Sequence, residues 1–415
     1  NAGTCGATGA CVAPAAATCA GGYVCAGNAC KTTCASNADC VTDSFCWGGA
    51  CHADVISLSE SDYDTCAVTV DGRVFCWGDA ANGILGPTVT LPSTVPVQIA
   101  GITDAASVNV AGNSGRACVL RRTGGVSCWG TGQLGDGIDH ATASGPIVAA
   151  TATGALTGVT VLAASSAGVC ASTATAVFCW GSNGYHNLGV DVDTVTQPSG
   201  RPTLRPTAVI NGGGAKAMAM NVASDPLPVI ATFDGTNECL WGKSGATSGC
   251  VPASGTISQI AAGGSGSLIC MRLGSRVLCS GNNDYKQCGT IAAPYVPAPG
   301  NDITIQAADV GAYYDFGCAL TIDSPRVAKC WGVVFGDFTV SPTPVWATPT
   351  TIAMSGAAAG VSPSSLATGG ENAAHVCLIA TDGSPWCAGR CFSGNCGNGQ
   401  SGVTLPAFVA VHAGW

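Results

Sequence analysis

The amino-acid sequence predicts an all-β protein made of many small antiparallel sheets, and three observations support this. A Cys-Trp-Gly motif, or a remnant of it, recurs seven times at steps of about 50 residues. Most copies carry a second cysteine about ten residues upstream, as in Cys66 and Cys76. Between these two cysteines apolar residues alternate with smaller or polar ones, for example Val68, Val70 and Val74, which is typical of a half-buried strand. A repeat of this length with strand-type content predicts a radial or stacked array of sheets.

The composition excludes several classes of function. The chain has 415 residues and a formal net charge of −9, and only 9% of its residues are charged. Nucleic-acid binding requires a basic face, and no basic cluster occurs, so we expect no nucleic-acid partner. No run of about 18 apolar residues occurs, so the sequence predicts no membrane span.

The 26 cysteines indicate an oxidising compartment. Zinc is the competing interpretation, but structural zinc sites use paired Cys-x-x-Cys units or Cys/His sets. The sequence has no Cys-x-x-Cys and only five histidines, which favours disulfides. The chain starts at Asn1 without an initiator methionine or a charged-then-apolar leader, so we expect an exported protein whose signal peptide has been removed.

Residues 1–52 predict a small module held by disulfides, because they contain nine cysteines and few large apolar side chains. A C-x5-C-x4-C pattern occurs twice, and Cys11 and Cys34 extend the two copies to four cysteines each, which leaves Cys5 over. The pattern resembles the short cysteine-rich repeats near the N-termini of surface proteins from myxobacteria and related bacteria. Cys46, Cys51 and His52 also have the spacing of a rare c-type haem attachment site. The duplicated copy lacks the histidine, so we expect disulfides and no haem.

The spacing of the paired cysteines predicts hairpins with specific loops. Cysteines ten apart face each other across a three-residue loop, and the third loop position is Gly72, Gly124 or Gly383. Cysteines nine apart imply two-residue loops, and the pair twelve apart implies a longer loop. Opposed cysteines on neighbouring strands lie within disulfide reach. The predicted cross-strand disulfides are Cys66–Cys76, Cys118–Cys128, Cys170–Cys179, Cys270–Cys279, Cys318–Cys330 and Cys377–Cys387.

The repeat resembles the RCC1 family of seven-bladed β-propellers, in the form common among exported bacterial members. The resemblance rests on the segment from Cys66 to Gly78 and on the tails that follow each Cys-Trp-Gly, such as Asn82–Gly86. It implies a seven-bladed propeller over residues 53–415, preceded by the module of residues 1–52. We also expect the C-terminal residues 406–414 to close the ring against residues 54–59. Copy four has Val229 where the family pattern has its first cysteine, so a local Cys239–Cys250 bridge is expected there.

Four further cysteines lie outside these pairs. Cys391 and Cys396 are close enough in sequence to pair with each other. Cys288 occupies a tail position where the family usually has leucine, and Cys5 is left over from the module. Because exported proteins seldom leave thiols free, the sequence predicts a Cys5–Cys288 bridge, either within one chain or between copies.

Other patterns give no catalytic, cofactor or metal site. Gly397, Gly399 and Gly402 match a dinucleotide-binding spacing, which requires a preceding parallel strand and a following helix. The all-β context predicts a loop instead. The remaining candidates are scattered histidines and two aspartate pairs without a calcium-loop spacing: His140, His186, His375 and His412, and Asp136, Asp139, Asp191 and Asp193.

The resemblance implies action through protein contacts, because RCC1-like propellers include a nucleotide-exchange factor, a photoreceptor and a β-lactamase inhibitor. We therefore expect a non-enzymatic bacterial protein, extracellular or at the cell surface, whose partners are other proteins. Copies of itself in a filament or surface layer are the leading expectation, and an adhesin or enzyme inhibitor is the alternative. A propeller hydrolase or lyase would need clustered carboxylates or a metal in the central channel, and no such cluster is evident in the sequence.

Overall fold

The computed structural model describes thirteen segments of the chain. These are residues 19–26, 29–111, 115–183, 188–190, 202–209, 213–220, 230–241, 249–253, 255–263, 268–291, 295–335, 345–370 and 374–412. Within them the regular structure is β-strand, apart from two single-turn 3₁₀ helices at Ala20–Gly22 and Asn37–Asp39.

The N-terminal segment forms two short hairpins held by disulfides. The strands are β1 (Cys25–Ala26), β2 (Ala29–Cys30), β3 (Ser44–Trp47) and β4 (Ala50–Ala53). The disulfides are Cys19–Cys30, Cys34–Cys46 and Cys40–Cys51. Cys25 is also disulfide-bonded. The duplicated cysteine pattern makes Cys11 its expected partner, and Cys11 lies outside the described residues.

The rest of the chain forms consecutive antiparallel sheets. The first contains β5 (Val55–Glu60), β6 (Asp64–Thr69), β7 (Val74–Gly78) and β8 (Ser93–Gln98). The second contains β9 (Ala105–Ala111), β10 (Arg116–Arg121), β11 (Val126–Gln133) and β12 (Asp139–Val148), and a small hairpin of β13 (Ala150–Thr151) and β14 (Gly154–Ala155) follows it. The third contains β15 (Val161–Ser165), β16 (Gly168–Ser172), β17 (Val177–Gly181) and β18 (Thr203–Ala208). The fourth contains β19 (Ala217–Met220), β20 (Ile230–Phe233), β21 (Asn237–Trp241) and β22 (Gly249–Pro252).

A seven-stranded sheet and a last four-stranded sheet complete the molecule. The seven strands are β23 (Ile257–Ala262), β24 (Ile269–Leu273), β25 (Arg276–Asn282), β26 (Tyr295–Tyr313), β27 (Phe316–Thr321), β28 (Ala328–Gly332) and β29 (Trp346–Ile352). The last sheet contains β30 (Pro363–Gly369), β31 (His375–Ala380), β32 (Pro385–Cys391) and β33 (Val403–Ala410).

These sheets form a closed ring, which makes the fold a β-propeller. The innermost strands contact one another in the cyclic order β5, β9, β15, β19, β23, β26, β30 and back to β5. The ring therefore closes where the last sheet packs on the first. Each sheet is one radial unit around a shared centre, as the repeat predicts.

The prediction of seven separate blades is wrong in one respect. Five four-stranded sheets are separate within the described residues, and strands β23 to β29 form the single seven-stranded sheet. The reason is β26, a strand of 19 residues. Its first half pairs with β25 and its second half pairs with β27, so the chain passes from the rim to the centre without leaving the sheet.

The expected role of the C-terminal strand is also wrong. β33 pairs with β32, where Val409 lies opposite Cys387, and so forms the outermost strand of the last sheet. No strand exchange closes the ring. β5 instead packs against β30 and β31, and the amide of Val55 donates to the carbonyl of Gly383 at 2.9 Å.

The predicted hairpin loops are confirmed. The amides of Thr69, Arg121 and Ala380 each donate to the residue four positions later, which encloses three-residue loops. The third loop residue has φ of +83° at Gly72, +80° at Gly124 and +79° at Gly383. Glycine is required there because other L-residues rarely adopt this conformation.

In three described repeats the tryptophan of the Trp-Gly pair donates a hydrogen bond to the repeat before it. The indole Nε1–H of Trp129 donates to the carbonyl of Ile84 at 2.8 Å, and that of Trp331 donates to Gln287 at 2.8 Å. Both carbonyls lie in the tail of the preceding repeat, where tail means the connection that follows the strand with the Cys-Trp-Gly motif or its remnant. Trp77 makes the same bond to Asn395 in the last sheet at 2.9 Å. The ring therefore closes through the contact that joins consecutive sheets elsewhere.

Side chains on the inner strands also connect neighbouring sheets. The hydroxyls of Ser57 and Ser59 accept hydrogen bonds from the amides of Val108 and Val110 at 3.3 and 2.9 Å. Gln259 Oε1 accepts in the same way from the amide of Val310 at 3.1 Å. These bonds satisfy amides that have no strand partner on the channel side.

The last strand of every four-stranded sheet, β29 at the edge of the seven-stranded sheet, and the first part of β26 each contain a proline. In chain order these are Pro96, Pro146, Pro206, Pro252, Pro297 with Pro299, Pro349 and Pro406. Proline has no amide hydrogen to donate, so it is compatible with an edge strand and interrupts the row of donors along that edge.

Candidate functional site

The centre of the ring is a cavity of about 210 Å³ lined by all seven innermost strands. Tyr313 lies at the end of β26, and its hydroxyl donates to Asp62 Oδ1 at 2.8 Å. This bond connects the seven-stranded sheet to the first sheet, although β30 of the last sheet lies between them in the ring. Gly369 lies at that point, and a Cβ on Gly369 would be 2.5 Å from the carbonyl oxygen of Ser61.

A buried polar cluster lies where the last sheet meets the first. It contains Glu60, Thr65, His375 and Asn395, and the side chains of Glu60 and His375 are both 0% exposed. His375 Nε2 is 3.2 Å from Thr65 Oγ1 and 3.6 Å from Glu60 Oε2. His375 Nδ1 is 3.0 Å from Asn395 Nδ2. We call these four residues the junction cluster.

The hydrogen bonds of the junction cluster assign a neutral imidazole to His375. Asn395 Nδ2 also donates to the carbonyl of Arg390, which fixes the orientation of the amide. His375 Nδ1 must therefore accept from Asn395. The Thr65 hydroxyl donates to the carbonyl of Asn395 at 2.8 Å, so it accepts from His375 Nε2–H. One ring nitrogen accepts and the other donates, as in the uncharged ring.

Glu60 has no such partners. Both carboxyl oxygens are buried without a hydrogen bond. Burial raises the pKa of Glu60 well above its usual value, and the nearby amide of Cys377 lowers it by less. Burial also raises the pKa of Asp64, and the neighbouring Asp79 and Asp62 add to that shift. Glu60 and Asp64 are thus suited to hold protons rather than charge.

The cluster cannot serve as a metal site in this form. The sulfur atoms of Cys377 and Cys387 lie within reach of the Glu60 carboxyl but are bonded to each other. A second group, Cys34, Cys40 and Cys51, consists of disulfide cysteines.

The junction cluster was missed from the sequence because Glu60 and Thr65 lie more than 300 positions from His375 and Asn395. One sequence signal could have indicated it, at the position two residues before the first cysteine of each repeat. Three described copies have Gly168, Leu268 and Phe316 there. The other three have Asp64, Arg116 and His375, and all three of these are buried. The charged and imidazole side chains therefore concentrate in the last, first and second sheets.

Among the other described sequence candidates, Asp136 and His140 are in direct side-chain contact. Asp136 Oδ2 is 3.0 Å from His140 Nε2, and Asp139 accepts from Gln133 at 2.9 Å. The loop from Gly397 to Gly402 connects β32 to β33. The sulfur atoms of Cys46 and Cys51 are in disulfides. His186, Asp191 and Asp193 lie outside the described residues.

The structure places the propeller cysteines in adjacent strands. The pairs 66–76, 118–128, 170–179, 270–279, 318–330 and 377–387 lie directly opposite each other, with Cα atoms 4.0 to 4.2 Å apart. Cys239 is disulfide-bonded and lies opposite Cys250 in the strand register. Cys391 and Cys396 are bonded within the last tail.

The predicted Cys5–Cys288 bridge is wrong for Cys288, which carries a free thiol. Cys288 is 0% exposed and packs with Leu268 and Trp331 in a hydrophobic cluster. Leu85, Leu134 and Leu188 are buried at the same tail position in other repeats. Cys288 thus occupies the position of a core leucine and is shielded from solvent. Cys5 lies outside the described residues.

We predict that Cys288 is unreactive in the folded protein. Burial raises the pKa of its thiol to about 12, so almost no thiolate forms at neutral pH. A thiol reagent should modify the Cys288 peptide only in denaturant, and peptide mapping without reduction should recover the adjacent-strand pairs. A disulfide-linked Cys288 peptide would contradict this.

The N-terminal segment packs on the last sheet. Asn37 Nδ2 donates to Asp382 Oδ2 at 3.1 Å, and the Trp47 and His412 rings are 5.9 Å apart. Asp54 lies where this segment joins the first sheet. Burial, with Asp43 and Asp382 nearby, raises the pKa of Asp54 to about 6.

Four exposed apolar side chains lie along one part of the rim. Leu91 is 75% exposed and Ile138 56%, and Val95 and Phe392 are also exposed. They belong to the last, first and second sheets. The tail of the last sheet contacts β8 through the amide of Gly399 and the carbonyl of Thr94, at 2.9 Å. We call these four residues the rim patch. Contiguous exposed apolar patches are typical of interaction surfaces, so the rim patch is the first surface to test.

The geometry defines a disulfide-rich β-propeller, and comparison with solved structures finds similar chains, yeast RCC1 among them. Human WBSCR16 is 14% identical over 87% of this chain and 83% of that chain, with a TM-score of 0.46. Yeast RCC1 (Prp20), in a structure bound to Kap60, is 16% identical over 87% and 75%, also with a TM-score of 0.46. The ectodomain of the receptor kinase CR4 from Physcomitrella patens is 18% identical over 80% and 72%, with a TM-score of 0.41. No protein-family model and no curated protein matches the chain.

None of the helices in the described segments has the length and apolar character needed to cross a lipid bilayer.

Proposed function

We propose that this chain is an exported, non-enzymatic propeller that binds other proteins through its rim. In this proposal residues 1–52 form a disulfide-held module and residues 53–415 form the propeller. The main support for this proposal is that ionisable side chains are buried at the junction whereas apolar side chains are exposed on the rim. Glu60, Asp64 and His375 are buried, whereas the rim patch faces solvent.

An oxidising compartment fits the disulfides, which are typical of extracellular proteins. The bacterial, cell-surface setting follows from the resemblance of the cysteine patterns. Self-assembly into a filament or surface layer is the first form of the proposal, because in a chain with 9% charged residues a contact between copies would bury few charges. Binding of a foreign protein, as an adhesin or inhibitor, is the second form.

Substitution of the rim patch tests the proposal. Leu91→Asp with Ile138→Asp should convert assemblies of the natural chain to single particles, because charge in an apolar contact opposes its burial. Light scattering over a concentration series and electron microscopy measure the change. Ile322→Asp is the matched control, since Ile322 is 52% exposed but lies beyond β27 in another part of the ring.

Two outcomes contradict specific parts of the proposal. A natural chain that stays monodisperse at all concentrations excludes self-assembly and leaves the adhesin or inhibitor form. Equal effects of the rim and control variants exclude the rim patch as the contact.

A further inference from the structure

The junction between the first and last sheets has no covalent closure. Every propeller disulfide with both sulfur atoms described joins two residues of one sheet and its tail, and β33 remains in the last sheet. The junction is held by non-covalent contacts: Val55, Trp77 and Ile379 share one buried hydrophobic cluster. Trp77 and Thr65 also donate hydrogen bonds to the carbonyl of Asn395 at 2.9 and 2.8 Å.

The junction also buries the Glu60 carboxyl group, and among the described residues the ring near it is that of His375, with Nε2 3.6 Å from Glu60 Oε2. The Glu60 side chain is 0% exposed, and a Cβ on Gly369 would lie 2.6 Å from the Glu60 Cβ, which shows how closely β30 packs on β5. An ionised carboxylate in such a site requires a cation or hydrogen-bond donors. The nearest titratable side chain, His375, is neutral by its hydrogen bonds.

The other ionisable groups around the junction do not supply that cation. The first sheet contributes Asp62, Asp64 and Asp79, and β26 contributes Tyr313, which bonds to Asp62. Arg390 of β32 has its guanidinium over the Phe392 ring at 4.1 Å. No charged group appears among the causes that shift the pKa of Glu60.

We propose that this junction is a proton-controlled closure: the ring is closed while the Glu60 carboxyl is protonated and opens between β5 and β30 when it ionises. The proposal concerns the ring itself and does not depend on the rim patch or on any partner.

The direction with pH follows from linkage. Burial raises the pKa of Glu60 in the folded chain, so the folded state keeps its proton where the unfolded state has lost it. The stabilisation is complete below the usual pKa of 4.5 and is lost as pH rises through the raised value. Asp64 and Asp309 change stability in the same direction. Asp39, whose pKa is lowered to about 2, acts in the opposite direction and only in stronger acid.

The test compares Glu60→Gln with the natural chain. Glutamine has nearly the same shape and stays neutral, so the variant should have a higher Tm near pH 8 and an equal Tm near pH 4. Hydrogen exchange, corrected for its intrinsic pH dependence, should show faster opening of β5 and β30 than of β9 and β15 as pH rises. The expected acceleration approaches tenfold per pH unit above the pKa of Glu60 and should be absent in the variant. Glu238→Gln, at a half-buried glutamate in β21 whose pKa burial also raises, is the matched control: it should leave the exchange of β5 and β30 and its pH dependence unchanged.

Three outcomes would overturn the proposal. A lower Tm of Glu60→Gln at neutral pH would mean that Glu60 is ionised and paired with His375. Equal exchange at the β5–β30 and β9–β15 contacts would mean that the ring has no preferred opening point. If Tm and hydrogen exchange depend on pH in the same way in the natural chain and in Glu60→Gln, the pH dependence arises from other carboxyl groups.

Discussion

Replacing Trp77 with alanine is expected to destabilise the propeller by about 3–5 kcal/mol, the usual cost of removing a buried tryptophan. The Trp77 side chain is fully buried, and its loss leaves a cavity at the point where the ring closes. It also removes the indole hydrogen bond to the carbonyl of Asn395. Urea unfolding monitored by circular dichroism would measure the change in unfolding free energy.

Phenylalanine variants separate the hydrogen bond from the packing. Trp77→Phe and Trp129→Phe each lose one indole bond, which should cost about 1 kcal/mol beyond the change in packing. Trp180→Phe is the control, because the Trp180 indole nitrogen is buried without a hydrogen-bond partner. If all three variants lose the same stability, the indole bonds contribute nothing measurable to the ring.

A second large effect is expected for Gly130→Ala, which should cost about 3 kcal/mol or more. Gly130 follows Trp129, has φ of +99°, and a Cβ there would lie 2.0 Å from the carbonyl oxygen of Gly115. That carbonyl also accepts the amide of Thr131 at 2.8 Å, so the two segments cannot separate without loss of this bond. Thermal unfolding would show the change as a lower Tm.

Gly86→Ala is the matched control for this substitution. Gly86 has φ of +101°, but a Cβ there would contact nothing within 4 Å. Both variants therefore carry the conformational cost of a positive φ, about 1–3 kcal/mol, and only Gly130→Ala adds steric overlap. If Gly130→Ala and Gly86→Ala lose equal stability, the close approach of the Gly115 carbonyl is not the reason that glycine follows the tryptophan at position 130.

The local structure of this chain was predictable from sequence because cysteine spacing and glycine position together specify a hairpin. The loops at Gly72, Gly124 and Gly383 follow directly from chain geometry. The continuity of β26 was not predictable, because Pro297, Pro299 and Gly300 indicate a connection rather than a strand. Pairing on both of its ends keeps it extended.

The junction cluster was not predictable for a different reason. His375 and Glu60 meet only because the ring closes, and no local pattern encodes a contact between residues more than 300 positions apart. The state of Cys288 was also predicted wrongly from the sequence. Counting cysteines predicts a bridge, whereas the leucines at the equivalent tail positions identify the same site as part of the core.

The prolines on the outermost strands restrict how copies of this ring could associate. A neighbouring chain cannot extend these sheets continuously, because each rim lacks an amide donor where the proline lies. Any filament of this protein would have to be held by side-chain contacts between intact rings. Such a filament would lack the cross-β repeat, would not bind amyloid-specific dyes, and would dissociate in detergents that leave the disulfide-held rings folded.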